Sequence, residues 1–216
     1  MNGDNFGGNV FINCPYDIEY KFLMDAMIFT VIFLGYEPKL AADSSDSGIN
    51  RIDKICSLIG SCKFGIHDLS RMELKNSVGK AEELSRFNMP FELGIDYGCR
   101  RFSGSDCNNK KFLILEKEKY RYQKVISDLS GIDIKAHGND TIKIIKCIRD
   151  WFVETAKLNS IPVAKKIVDI YFLNFQPYLL EYAIELGADE ANYMEELTVV
   201  DYIACVNEWK KLKYMK

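Results

Sequence analysis

The sequence predicts a doubly wound α/β fold on a parallel sheet, followed by a C-terminal helical extension. Segments with strand and helix character alternate at intervals of roughly 20–30 residues through most of the chain, the pattern of successive βαβ units. Beyond residue 160 only helical periodicity remains. The chain has 216 residues, 48% of them hydrophobic, which is ample for a sizeable core. The division expected from this pattern is an α/β domain over 9–158 and a helical extension over 159–216.

The elements follow in order. Asn9-Val-Phe-Ile-Asn13 reads as a short first strand. Cys14-Pro-Tyr-Asp17 turns the chain, because Pro15 cannot continue a central strand and Asp17 suits a helix N-cap. From Glu19 to Leu34, apolar residues at 22, 23, 26, 27 and 30 have helical spacing, and Gly35 ends that helix. Tyr36–Leu40 reads as a second strand at an edge. After the polar loop Asp43–Gly48, residues 50–62 place Ile52, Ile55, Cys56 and Ile59 on one helical face. Lys63–His67 is a third strand, ending at Asp68, and residues 70–87 read as a long loop or broken helix. Helical patterning returns from Pro90 to Cys99, and Lys111–Leu115 is a fourth strand. Tyr120–Leu129 is expected to be helical, Ile132–Ile134 a last short strand, and Ile142–Leu158 an amphipathic helix. In the tail, Tyr171, Tyr178, Tyr182, Tyr193 and Tyr202 mark helices that pack on the domain or mediate self-association.

Composition narrows the function classes. A net charge of −3 gives no electrostatic basis for direct nucleic-acid binding, although a local cluster can still hold a small anion. The first eight residues lack a signal-peptide pattern. The most apolar stretch, Ala26–Leu34, is about half the length a membrane span needs. The seven cysteines are scattered with no CxxC pair, and there are two histidines. That argues against a zinc site and a disulfide framework and fits reduced thiols in a cytoplasmic protein. No metal or resident cofactor is expected.

In an open α/β sheet the ligand crevice lies outside the carboxyl ends of the strands. The segments expected there are Cys14–Asp17, Asp43–Gly48, Asp68–Arg71 and the loop entering the helix at Pro90. They carry Asp17, Asp46, Asp68, Arg71, Arg86 and Glu92. Glu92 is expected in the first turn of its helix, two residues after Pro90, where the helix dipole favours a carboxylate. Acidic residues occupy first turns for purely structural reasons too.

The segments Val10-Phe-Ile-Asn-Cys-Pro-Tyr16, Gly65-Ile-His-Asp-Leu69 and Phe91-Glu-Leu-Gly94, with the acidic Ser/Gly loop between the first two, resemble the nucleoside 2-deoxyribosyltransferase superfamily. They also resemble bacterial TIR-like proteins on the same flavodoxin-like fold. The resemblance covers roughly residues 9–155 and leaves out the tail. It implies that Glu92 stabilises or attacks the anomeric carbon of a ribosyl group, since a carboxylate suits developing oxocarbenium charge. It implies that Asp68 binds or protonates the base or orients a ribose hydroxyl, and that Asp46 and Ser47 bind the sugar or base. Cys14, Pro15, Tyr16, Arg51, Arg86 and Asn88 complete the expected substrate-binding set. The transferases carry an Asp-x-Gly stretch ahead of the glutamate; here Ser85-Arg-Phe-Asn-Met-Pro90 stands in its place. Asn88 offers hydrogen bonds there, and Arg86 suits a phosphate, which favours a nucleotide such as NAD over a nucleoside. Glycosidic cleavage or ribosyl transfer on NAD or a related nucleotide, as in bacterial antiphage defence, is the function implied, in a homo-oligomer. The alternatives are a nucleotide sensor without turnover and a TIR-type assembly module.

Other motifs have plainer explanations. His67 and Asp68 are strand neighbours and face opposite sides, so they form no dyad; His67 is expected as a satisfied, partly buried residue. Arg51 either meets a phosphate or is a solvated helix residue. Ser44–Gly48 lacks the spacing of a phosphate-binding P-loop. Cys14 has no histidine placed to activate it and suits the core. Lys117–Tyr122 reads as a solvated helix start.

Overall fold

Strand β1 (Asn9–Asn13) is buried along its whole length, and so is β3 (Phe64–Asp68). Strands covered on both faces belong inside a parallel sheet and read as near-continuous apolar runs. The computed structural model describes residues 5–43, 48–72, 87–104 and 106–214. Its five-stranded sheet has the order β2-β1-β3-β4-β5, with β2 Glu37–Lys39, β4 Lys111–Glu116 and β5 Lys135–Ala136. Asn13 stands opposite His67 in the parallel β1–β3 pair, and His67 opposite Ile114 in the parallel β3–β4 pair. The fold is α/β and doubly wound with C-terminal helices, as the alternating pattern predicts. The strand order turns at β1 and β3, which makes their carboxyl ends the switch point.

The chain falls into two compact units. The first comprises Met1–Pro15, Lys39–Ala41 and Asp46–Asn139. Its helices are α2 (Arg51–Gly60) and α3 (Asn88–Phe102). Asn50 caps α2 by accepting from the Ile52 amide at 3.1 Å. Ile55 and Ile59 pack with Phe11, Ala41 and Cys62, flanked by Leu58, Ile95 and Cys99. Cys56, expected on that face, is exposed; the buried stripe is centred on Ile55 and Ile59, and Leu58 sits beside it instead. A second cluster joins Leu69, Met72, Met89, Leu93, Ile114 and Tyr122. The helix expected over Tyr120–Leu129 is two 3-10 turns, Arg121–Lys124 and Ser127–Leu129. Tyr120 flanks the first turn with a left-handed φ of 65°, outside the helical region, and the turns deliver Tyr122, Ile126 and Leu129 to the cluster. The last strand lies at Lys135–Ala136 rather than Ile132–Ile134, because Ile134 is used as packing against the same cluster. Two of the scattered cysteines, Cys99 and Cys107, have their sulfurs 3.3 Å apart as unbonded thiols.

The second unit comprises Tyr16–Pro38, Ala42–Ser45 and Asp140–Lys216. Asp17 begins a 3-10 turn (Ile18–Tyr20) with extended backbone but makes no capping bond through its side chain. Helix α1 (Lys21–Phe33) follows, and α4 (Thr141–Ala156) is capped by Asp140, which accepts from the amides of Ile142 and Lys143. The tail holds α5 (Ala164–Ile170), a π-turn at Tyr171–Phe175, α6 (Gln176–Glu185), α7 (Tyr193–Glu196) and α8 (Val199–Tyr214). Helix α1 is apolar nearly all round and packs against α4 and α8. Phe29 is the hub of an aromatic cluster, with ring centroids of Phe33, Tyr171, Phe175 and Trp209 at 4.9–5.8 Å. Beside it Lys21 pairs with Asp25 at 3.1 Å, and the Tyr202 hydroxyl donates to the Asp25 carbonyl at 2.9 Å. Of the five tail tyrosines, Tyr171 and Tyr202 are core residues of this unit.

Burial lifts the Asp25 carboxyl to about 6, with Lys21 opposing the rise. The folded state therefore holds this proton more tightly than the unfolded chain. The stabilisation is fully present below about pH 4 and is lost as pH rises through about 6, a change of roughly 3 kcal/mol from this group. Urea unfolding across this range is expected to show that slope in the wild type and not in Asp25→Asn; parallel curves would assign the slope to another group. In the first unit, a Cβ on Gly65 would lie 2.6 Å from Asp96 Oδ2 and 2.8 Å from His67 Nε2. Gly65→Ala is expected to cost about 1–3 kcal/mol in the same measurement, and a neutral result would mean the helix above it moves freely.

Candidate functional site

The carboxyl end of β1 presents Asn13, whose amide nitrogen donates to the Met89 carbonyl in the first turn of α3 at 2.9 Å. The same nitrogen lies 3.1 Å from His67 Nδ1. A donor there makes Nδ1 an acceptor, so the network assigns the imidazole proton to Nε2. Nε2 lies 3.1 Å from Asp96 Oδ2, and Asp96 Oδ1 lies 3.1 Å from Lys110 Nζ. Lys110 also donates to the carbonyls of Ile59 and Cys62. His67, Asp96 and Lys110 are sealed from solvent. His67 is held edge-on between the rings of Phe11 and Phe112. It is satisfied, as expected, but fully rather than partly buried. This chain of bonds fixes α3 over β1 and β3.

Glu92 rides on that fixed helix. It is the fifth residue of α3, in the second turn rather than the first, because the helix starts at Asn88, ahead of Pro90. Its side chain is 6% exposed, and its Oε1 lies 3.8 Å from Nη2 of Arg51 at the start of α2. Burial raises the Glu92 carboxyl above its usual range, and the Arg51 cation pulls it back toward ionisation. Arg51 itself is 56% exposed, so one partner is enclosed and the other is in contact with solvent.

Asp68 faces the other side of β3 from His67, as strand alternation requires. It accepts from the Ser70 amide at 2.7 Å, and its Oδ2 lies 2.9 Å from His137 Nε2. Ser70 Oγ lies 2.8 Å from the same nitrogen, while His137 Nδ1 accepts from the Asn139 amide at 3.0 Å. Ser, His and Asp thus meet, but serine and aspartate share one ring nitrogen. A charge-relay triad needs them on opposite nitrogens, so this group is not one. Arg121 extends the network, donating to the Ser70 carbonyl and to Glu116 Oε1, each at 2.5 Å. Burial raises the Glu116 carboxyl, against the pull of Arg121 and the Lys117 amide. These contacts tie together the ends of β3, β4 and β5.

Of the residues singled out in the sequence, Glu92 and Arg51 come together directly, and Asn88 is exposed at the first position of α3. Asp68 is wholly buried in the second network. Cys14 and Pro15 are buried just beyond β1, whereas Tyr16 is exposed and belongs to the second unit. Asp46, Ser47 and Arg86 lie outside the described residues. Sequence reasoning missed Asp96, Lys110, Glu116, Arg121 and His137. The one available signal was that His137 is one of two histidines in the chain and that Glu116, like Asp68, closes a strand. Among the described residues no group of three or more His, Cys, Asp or Glu is placed to hold a metal ion, and no helix is long and apolar enough to cross a membrane. No protein-family model, curated protein or solved structure matches this chain.

Removing the Arg51 charge leaves burial unopposed at Glu92. In a carboxyl-carbon NMR titration, Arg51→Gln is expected to move the Glu92 midpoint upward relative to wild type. An unchanged midpoint would mean that the two groups do not interact in solution.

Proposed function

We propose that the first unit binds NAD or a related nucleotide outside the carboxyl ends of β1 and β3 and breaks its N-glycosidic bond, with Glu92 as the working carboxylate. The observation that carries this reading is an enclosed glutamate facing a solvent-accessible arginine at the switch point of the sheet. Breaking the bond from the ribosyl anomeric carbon to the base leaves positive charge on the sugar. A carboxylate stripped of water stabilises that charge more strongly than one in bulk solvent. Arg51 favours the ionised form of the carboxylate against the effect of burial and is exposed enough to meet a phosphate oxygen of the incoming nucleotide. Phe87 and Phe91, both exposed at the start of α3, offer stacking surface for a base.

The bonding of Asp68 refines the choice of substrate. Glycoside cleavage with a poor leaving group needs a second carboxyl to donate a proton. Asp68 is buried among Ser70 and His137, so its role here is to position the end of β3. A nicotinamide leaving group is already cationic while attached and departs neutral without protonation. One carboxylate therefore suffices for NAD, with water or another hydroxyl taking the ribosyl carbon and losing its proton. The same enclosure of Asp68 favours, as the second reading, a nucleotide sensor that binds without turnover.

The test is chromatography of NAD, NADP and sets of ribonucleosides and deoxynucleosides after incubation with the purified chain, dilute and concentrated, since self-association belongs to this reading. Wild type is expected to release nicotinamide, and Glu92→Gln to release it at least about a hundredfold more slowly at unchanged thermal stability. Release of a base from both proteins alike would remove Glu92 from the chemistry. Saturable nucleotide binding with no product under any condition would establish the sensor instead.

A further inference from the structure

Arg100, Arg101 and Lys111 gather around a cavity of about 580 Å³ whose lining is completed by Tyr97, Asn108 and Lys110. The cavity lies at the amino end of β4, the opposite end of the strands from Glu92. Tyr97, Arg100 and Arg101 are three and four residues apart on α3, so the helix presents them on one side. The Arg100 guanidinium lies 4.8 Å from the ring centre of Tyr97 and 4.4 Å from that of Phe112. Aromatic faces thus hold it in place without a carboxylate. Lys110 is different: it is buried and spent on Asp96 and two carbonyls, so it contributes wall rather than available charge. Among the described residues no carboxylate lies within ion-pair distance of Arg100, Arg101 or Lys111. Three cations without an ion-pair partner among the described residues thus converge on one space in a chain whose net charge is −3.

Basic residues in the last turn of a helix offset its dipole and need no ligand. That accounts for Arg100 and Arg101 taken singly. It does not account for Lys111, which opens a strand, or for the cavity that all three line. The volume falls within the range of small-molecule sites.

We propose that this cavity is a second ligand site, which takes a small compound bearing two or more phosphate groups. Arg100 and Arg101 offer paired N–H donors to phosphate oxygens, Lys111 a point charge, and Asn108 a neutral donor for an ester or hydroxyl oxygen. A nucleic-acid surface would spread its cations in a stripe, whereas these surround one hollow. The site is independent of Glu92, which lies eight residues earlier on α3, about 12 Å along the helix axis.

Isothermal titration of the full chain with inorganic tripolyphosphate tests it. The combined variant Arg101→Gln with Lys111→Gln alters two exposed side chains and leaves the ring contacts of Arg100 intact; circular dichroism checks that it folds. Wild type is expected to bind one tripolyphosphate, more weakly as salt rises, and the double variant at least about tenfold more weakly. Glu92→Gln is expected to bind like wild type. The proposal is overturned by the absence of saturable binding to wild type, by equal affinity in the double variant, by loss of binding in Glu92→Gln, or by a preference for a single-stranded oligonucleotide over tripolyphosphate.

Discussion

The bond chain Lys110–Asp96–His67–Asn13 holds the first unit in register. Its members come from four separate stretches of the chain, and all are buried. Taking charges out of water is costly, and the mutual attraction of the pair offsets that cost only while each partner is present and its remaining hydrogen-bonding groups are satisfied. Lys110 meets this condition with Asp96 and two carbonyls, and His67 with Asn13 and Asp96. The missing side chain of Gly65 leaves the opening through which Asp96 reaches the imidazole. Helix α3 therefore has one rotation about its axis. Glu92, Asp96 and Arg100 follow one another at intervals of four along that helix, so the anchored Asp96 sets the direction of the residues on either side of it.

The two faces of β3 do different work with adjacent residues. His67 locks a helix onto the sheet, while Asp68 gathers Ser70 and His137 and, through Ser70, Arg121. Two polar networks in one core give the fold directional bonds that apolar packing lacks, and each leaves a carboxyl under desolvation, Glu92 beside the first and Glu116 in the second.

Much of this was legible in the sequence where apolar runs were long enough to speak for themselves. β1, β3 and β4 fall within about a residue of their expected bounds, as does α4 at its start, where Asp140 caps it. The legible part of the site was Glu92 itself, chosen for its place after a strand and beside a proline. The proline suggests a helix start at Pro90, whereas the helix begins two residues earlier at Asn88, which moves Glu92 into the second turn. A proline at the third position of a helix forfeits no bond, since the first four amides have no intrahelical partner. The sequence suggests a helix over Tyr120–Leu129 and a strand over Ile132–Ile134 because turns that feed Tyr122, Ile126, Leu129 and Ile134 into a core carry the same apolar content as regular elements. Asp96, Lys110 and His137 could not be read at all. Their partners lie 29, 14 and 69 residues away, and only the assembled sheet brings them together.

The first strand of the chain is an inner strand of the sheet. Val10 finds its β3 partner, Phe64, 54 residues later. During synthesis at ~5–20 residues per second, that interval is roughly 3–10 s in which an apolar strand has been made and its β3 neighbour has not. Until then β2 is the one sheet neighbour available to β1, and Val10, Phe11 and Ile12 are otherwise shielded only by non-native contacts or by a chaperone. Their unpaired backbone is at that stage a template for any other extended chain nearby. The inner position that buries β1 in the finished fold leaves it open to misassociation while the fold is being made.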